Sequence, residues 1–362
     1  MDCVLDNPFR VLGLPVTATA REIAKRASDL EIFAEMGKDK IYPQDYQVLG
    51  AIDRSLDAVK DAVRRIEKPQ DRLFYSLFWF RSVDVVDATA LDSFQGGSLG
   101  QAIQLLDKKI SATSQPKYSW RLNRSALILA KLAIGTVEPV LFRRLYADIG
   151  TVLSDHVDDL LEEAAIDREG AFELNSVFEK VVADLLGVAR HYYDKADNQL
   201  EWISLFAEFP RASKKYVQLK IVNPIIQQVQ DAIEDSERLR AQKDLSALRD
   251  FNQLKQVEGM LEQLHAVLGD DDLSFNAIAN AYVDEICDCS LLAHNYFNET
   301  ALAVKLIQWA SQLPSYRRIQ QNIVEKKQQL EDILRDQVEL ESYTPIFDEL
   351  KKPMYNVSQA SD

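Results

Sequence analysis

Glycine and proline are scarce in this chain of 362 residues, at 12 and 11. That leaves few residues for the turns of an all-β fold and favours long helices. Cysteine occurs three times, as Cys3, Cys287 and Cys289, which excludes a disulfide framework. Histidine occurs four times, at His156, His191, His265 and His294. No apolar run approaches the ~18–20 residues that cross a bilayer. The opening Met1-Asp2-Cys3-Val4-Leu5-Asp6 carries acids where a secretory leader carries bases. Basic charge is also short: 42 Lys+Arg stand against 57 Asp+Glu, a net charge of −15. Residues 1–90 are nearly balanced, so the acidic excess lies in the remainder. An acidic surface repels phosphate backbones and anionic lipid, so neither a nucleic acid nor a membrane is expected as partner. These absences lead us to expect a cytoplasmic protein.

What is present is helical periodicity. Asn7-Pro8-Phe9-Arg10-Val11-Leu12-Gly13-Leu14 reads as a short helix opened by Pro8 and stopped by Gly13. Thr19-Ala20-Arg21-Glu22 matches a capping box, in which hydroxyl and carboxylate satisfy each other's orphan backbone donors. A second helix follows over about 20–35, with Ile23, Ala27, Leu30 and Ala34 on one face. Arg21 and Lys25 stand one turn apart on another face, with Arg26 beside them. A loop runs from Met36 to Asp45. A third helix is expected over about 46–66, with Leu49, Ile52, Leu56, Val59, Val63 and Ile66 as an inward stripe. Lys68-Pro69-Gln70-Asp71-Arg72 restarts the chain and leads into Phe74, Tyr75, Phe78, Trp79 and Phe80. Those five aromatics exceed what one face of a small module needs. They read either as a weld between this head and the rest or as a peptide-binding surface, with the weld preferred.

The order of these pieces resembles a J-domain, the DnaJ-type module that docks on DnaK-type chaperone ATPases. The resemblance covers about residues 5–81. It rests on Asn7-Pro8-Phe9-x-Val11-Leu12-Gly13-Leu14, Thr19-x-x-Glu22-Ile23, the stripe of the third helix, and Lys68-Pro69-x-x-Arg72. It implies a helical head whose basic second helix, with Arg21, Lys25 and Arg26, is the docking face. The family carries His-Pro-Asp in the loop before the third helix. Here the loop has Tyr42-Pro43-Gln44-Asp45 and the head has no histidine. The resemblance therefore implies a degenerate head that binds without stimulating an ATPase. Tyr42, Pro43 and Asp45 join the candidate partner-binding residues, and Ile41-Tyr42-Pro43 can equally close the loop onto the core.

Beyond the head, residues 83–97 read as a linker because of Asp84, Asp87, Asp92, Gly96 and Gly97. Residues 98–210 read as a helical scaffold, with helices over about 98–112, 119–135, 139–166, 171–194 and 197–208. Ser98 is placed to cap the first. The pair 98–135 weakly resembles a tetratricopeptide hairpin. Residues 211–269 read as a long antiparallel helical hairpin joined near Ala241–Asp244. Its second arm carries a coiled-coil seam of Leu254, Val257, Leu261, Leu264 and Leu268. Residues 270–344 supply three more helices, and 345–362, with Pro345 and Pro353, read as a flexible tail.

Chemistry is sparse. Cys287-Asp288-Cys289 lacks the wider spacing and second ligand pair of zinc sites, and Asp270-Asp271-Asp272 lacks the closing glutamate of a calcium loop. No phosphate-binding glycine loop, nucleophile elbow or His-Glu-x-x-His run occurs. We therefore expect no catalytic residues, no cofactor and no metal. The expected fold is all-α, a J-like head followed by an irregular helical array. The expected function is a non-enzymatic co-chaperone or adaptor that holds a partner protein, with a DnaK-type chaperone the partner the resemblance offers. The rival is a structural subunit of a larger assembly in which the head is only a docking piece.

Overall fold

A computed structural model of the protein describes all residues except 1, 39, 136, 165, 167–171, 193–198, 244–251, 314–316 and 360–362. About 78% of the chain is helical, and no strand occurs among the described residues, so the all-α class holds. Residues 1–220 form one compact unit and residues 221–362 another.

The first unit begins with α1 (Asp2–Leu5) and α2 (Pro8–Leu12). The Asn7 side chain accepts from the Phe9 amide, Pro8 sits at the first turn, and Gly13 closes α2 with φ of 59°. A side chain at Gly13 is excluded twice. The left-handed backbone disfavours it, and a Cβ there would lie 2.6 Å from Cδ2 of Tyr42. Helix α3 (Ala20–Glu35) starts on the full Thr19/Glu22 capping box. The third helix is shorter than its stripe implied. A 3₁₀ turn covers Gln47–Leu49, and α4 runs Leu56–Arg65, capped by the Ser55 hydroxyl. Gly50 at φ 80° and the ties of Arg54 to the loop separate the two pieces. Val59 and Ile66 are buried, whereas Ile52, Leu56 and Val63 are half-buried. Helices α2 and α3 both pack on α4.

Helix α5 (Pro69–Leu77) delivers the aromatic run to the interior. Phe78 and Trp79 are fully buried and Phe80 nearly so, which removes the surface reading. The rings of Tyr46 and Phe80 lie 4.8 Å apart, and those of Phe80 and Phe94 5.2 Å. Phe94 belongs to α6 (Val85–Gln95), a helix where a linker was expected. Asp84 starts it by accepting from the amides of Val86 and Asp87, and Ala90, Leu91 and Phe94 bury its inner face. Arg81 then exchanges two bonds with Asn123 and pairs with Glu163 at 2.8 Å. The head is thus tied through ring packing and a buried arginine to residues far along the chain.

Helices α7 (Leu99–Ser111), α8 (Tyr118–Ile134) and α9 (Pro139–Asp155) follow, each packed on the one before. Ser98 precedes α7 but its hydroxyl makes no capping bond. Buried Arg124 of α8 is satisfied by Asp148 at 2.7 Å and Asp107 at 2.6 Å. The helix expected over 139–166 breaks at His156, where α10 (Val157–Glu163) begins. Helix α11 (Leu174–Tyr192) packs on α5, and Lys180 bonds Asp71 at 2.7 Å. Residues Gln199–Phe206 form 3₁₀ turns rather than the short α-helix expected there.

Helix α12 (Arg211–Gln242) spans the division of the chain at residue 220. In the second unit, α13 is Asn252–Leu268, α14 Leu273–Asn295, α15 Thr300–Ala310 and α16 Arg317–Gln359. Of the expected hairpin connection, Ala241 and Gln242 still belong to α12 and Lys243 turns with φ of 54°, while Asp244 lies outside the described residues. The seam residues Leu254, Val257, Leu261 and Leu264 are buried. Tyr282 of α14 donates to the Leu254 carbonyl at 2.7 Å. Ser236 and Arg240 of α12 both bond Glu285 of α14, at 2.8 and 2.9 Å. Helix α16 continues to Gln359, through the segment expected to be a flexible tail. Its ladder absorbs Pro345 and Pro353 at the loss of one backbone donor each.

Candidate partner-docking site

The loop that holds Tyr42-Pro43-Gln44-Asp45 is tied down by arginines. Tyr42 is only 7% exposed. The guanidinium carbon of Arg26 lies 3.9 Å from its ring centroid and that of Arg54 4.9 Å, two cation–π contacts in a half-dry site. The Tyr42 hydroxyl is buried with no hydrogen-bond partner. Burial pushes its pKa upward, and the two guanidinium groups pull the other way without cancelling it. Asp45 accepts from the Tyr42 amide at 2.9 Å and takes a two-pronged bond from Arg54 at 2.5 and 2.7 Å. Arg54 also donates to the carbonyls of Val11, Lys40 and Arg10.

These contacts sort the six candidate residues. Arg26 donates to the carbonyls of Leu12 and Gly13, at 3.1 and 2.7 Å, so it locks α3 to the end of α2. Tyr42 and Asp45 are likewise engaged inside the head. Pro43 is exposed, and neighbouring Ile41 is 81% exposed. Arg21 and Lys25 are exposed on α3, while Ile23 and Leu30 of the same helix face inward. The loop's closure on the core is what the arginines accomplish, and the freely presented charges are Arg21 and Lys25.

Two further arginines, Arg10 and the Arg72 of the Lys68-Pro69-x-x-Arg72 run, hold the backbone in roles that the sequence reading did not assign. Arg10, 3% exposed, donates to the carbonyls of Leu5, Leu49 and Gly50. Arg72 bonds the Ala18 carbonyl. No sequence pattern distinguishes these guanidinium groups from those left in solvent, because their acceptors are backbone oxygens remote along the chain.

Between α3 and α4 lies an open groove, lined on the α3 side by Ala20 and Ala24, the chain neighbours of Arg21 and Lys25. Ala20, Ile23 and Ala24 form one wall, and Val63 and Ile66 the other. Pro69, Ala164 and Ile166 close the end. Lys60, Arg64 and Arg72 supply positive charge around it, and Glu67 the one carboxylate among its lining residues. Arg64 is strongly exposed, with Asp61 at 2.5 Å. An apolar floor with a basic rim suits an amphipathic segment that carries acids.

The other candidate chemistry is structural. Cys287 and Cys289 are buried, and burial raises both thiols, Cys287 to about 11, so neither is a ready thiolate. Asp272 caps α14, and Asp270 pairs with His265 at 2.6 Å. No cluster of three metal-binding side chains occurs among the described residues. No helix among them is long and apolar enough to cross a membrane. The chain matches no protein-family model, no curated protein and no solved structure.

Proposed function

We propose that this chain is a non-enzymatic, cytoplasmic adaptor that holds a partner protein against its N-terminal head, with the helical array that follows, including the weakly tetratricopeptide-like pair α7 and α8, as scaffold. One observation carries the reading. Arg21 and Lys25 are exposed on α3, the helix that walls an apolar, basic-rimmed groove, in a protein whose net charge is −15. That concentration of positive charge favours an acidic protein surface as the target. The J-like order of the head makes a DnaK-type ATPase the first partner to test. Tyr42 occupies the loop that carries histidine in working J-domains, and its ring is in contact with two arginines. The reading therefore has the head bind such an ATPase and leave its basal hydrolysis unchanged.

The alternative role, a structural subunit with the head as a docking piece, draws support from the burial of Phe78, Trp79 and Phe80. Both roles predict the same docking face and differ in what the partner does. The test is a binding titration of a DnaK-type ATPase with the full chain and with Arg21→Glu/Lys25→Glu. Association of the wild type at low salt, lost in the variant, supports the adaptor reading. Clear stimulation of hydrolysis overturns binding without activation. Undiminished binding by the variant moves the partner site off α3.

A further inference from the structure

Helix α16 carries an apolar seam that outlasts its cover. Ile323 and Leu330 are buried against the rest of the second unit, at 1% and 5% exposed. Helix α15 packs alongside, and Gln308 donates to Glu331 at 3.0 Å. The stripe continues through Ile333 and Leu340, with polar Gln337 and Thr344 at the alternate positions, in steps of three and four. Past Leu330 no side chain of the helix is buried up to residue 345. Leu340 is 68% exposed and neighbouring Val338 59%. Apolar side chains at helical spacing with no cover are a docking face looking for a partner. Their charge states which kind. Glu331, Asp332, Asp336, Glu339 and Glu341 surround the seam, against the single cation Arg335. A parallel pairing of two such helices would set Asp336 near Glu341 of its mate, a like-charge clash, so self-pairing along the seam is disfavoured.

The groove between α3 and α4 has the opposite character: small and branched apolar walls with Lys60, Arg64 and Arg72 around them. Ala20 and Ala24 stand one turn apart, so a helix can approach α3 closely there. We propose that the acidic face of residues 333–344 docks in the α3–α4 groove of a second copy, so that the chain associates head to tail. A contact between two different surfaces leaves a free groove and a free helix at the ends, so it propagates unless rotation closes it into a ring. The proposal rests on the reading of the groove as a docking site and adds a regulatory consequence. Self-association occupies the groove, so a partner that uses it must compete with a second copy.

The experiment is sedimentation velocity of the full chain over a wide concentration range, at low and at high salt. Association that strengthens with concentration and weakens with salt is expected, because exposed charges are screened over roughly 10 Å at 0.1 M salt. Leu340→Glu and Lys60→Glu/Arg64→Glu should each weaken it about tenfold or more, as loss of an apolar anchor or of paired charge does. Both variants alter exposed side chains, and unchanged circular dichroism confirms that they fold. Mixing Lys60→Glu/Arg64→Glu chains with Glu339→Lys/Glu341→Lys chains should restore association between the two. A monomer at every concentration overturns the proposal, as does association that Leu340→Glu leaves intact. If self-association fails while the Arg21/Lys25 variant still loses its partner, only the head-to-tail contact falls. If self-association holds and that variant keeps its partner, only the adaptor reading falls.

Discussion

The loop around Tyr42 and the distal half of α16 are both rich in charge beside apolar residues, yet they use it in opposite ways. In the loop, Arg10, Arg26 and Arg54 turn inward and donate to backbone carbonyls that no helix ladder satisfies. There the charge does the work of secondary structure and fixes an irregular segment. Along residues 331–345 the backbone is already satisfied by the helix, so the charges remain in solvent and flank an uncovered seam. An arginine is internal glue where unpaired carbonyls are within reach, and surface where they are not.

The contrast can be broken most sharply by burying a charge in each region. Val59 of α4 is fully buried, so Val59→Asp should cost about 3–5 kcal/mol and melt the head. Val338→Asp, at a site 59% exposed, should change stability by no more than about 0.5 kcal/mol. Thermal melts followed by circular dichroism read both. Similar losses at the two sites would show that α16 is covered in solution.

A smaller difference is expected from truncating an arginine in each region. Arg54→Ala takes the cation from part-buried Asp45 and the side-chain donor from the Val11 and Lys40 carbonyls, and should destabilise by about 2–4 kcal/mol. Arg335, 70% exposed beside Asp332, belongs to the class of surface pairs worth about 0–1 kcal/mol. Urea titrations of Arg54→Ala and Arg335→Ala should give midpoints well apart. A native midpoint for Arg54→Ala would mean that water replaces its bonds without loss.

The least effect concerns pH, and its sign differs between the units. Burial raises the carboxyl of Asp84. Hydrogen bonds from Lys117, Trp120 and the amides of Asp87 and Val86 outweigh that and bring it to about 2. Its folded value lies below the unfolded value of about 3.9. Its stabilisation is therefore complete above about pH 4 and fades as pH falls toward 2. Asp284 is shifted the other way, by burial and then by Asp288, with Lys326 opposing. A raised carboxyl binds its proton more tightly when folded, so stability falls as the pH rises from the unfolded value of Asp284 to its folded one, and the cost is complete above that. At neutral pH, Asp84→Asn should lower the melting temperature slightly and Asp284→Asn raise it slightly. Equal shifts of one sign would refute the pairing assigned to one of them.

Much of the helix inventory was legible before any coordinates. Helix α3 begins where the Thr19/Glu22 box places it, and α7 and α8 fall within a residue or two of their expected ends. Local capping chemistry and a 3.6-residue period are written in adjacent residues, so they can be read from them. The failures share a cause. Leu49 and Ile52 keep the helical period, but Gly50 and the reach of Arg54 break the helix between them. The acids and glycines of 83–97 look like a linker, but Asp84 is a cap, Gly96 and Gly97 follow the last turn, and Phe94 is claimed by Tyr46 and Phe80.

By itself the sequence determined the all-α class, the starts of α2 and α3, much of the inward faces and the excess of acid, because each depends on neighbours within a turn or on composition alone. Tertiary structure decided which charges are internal. It set Arg26 and Arg54 on the ring of Tyr42, committed Arg10 and Arg72 to distant carbonyls, and left Arg21 and Lys25 exposed on α3. It also left the seam of α16 without cover past Leu330. Those outcomes depend on backbone acceptors and apolar surfaces brought close from dozens of residues away, and distance in the folded chain is not encoded in any local pattern.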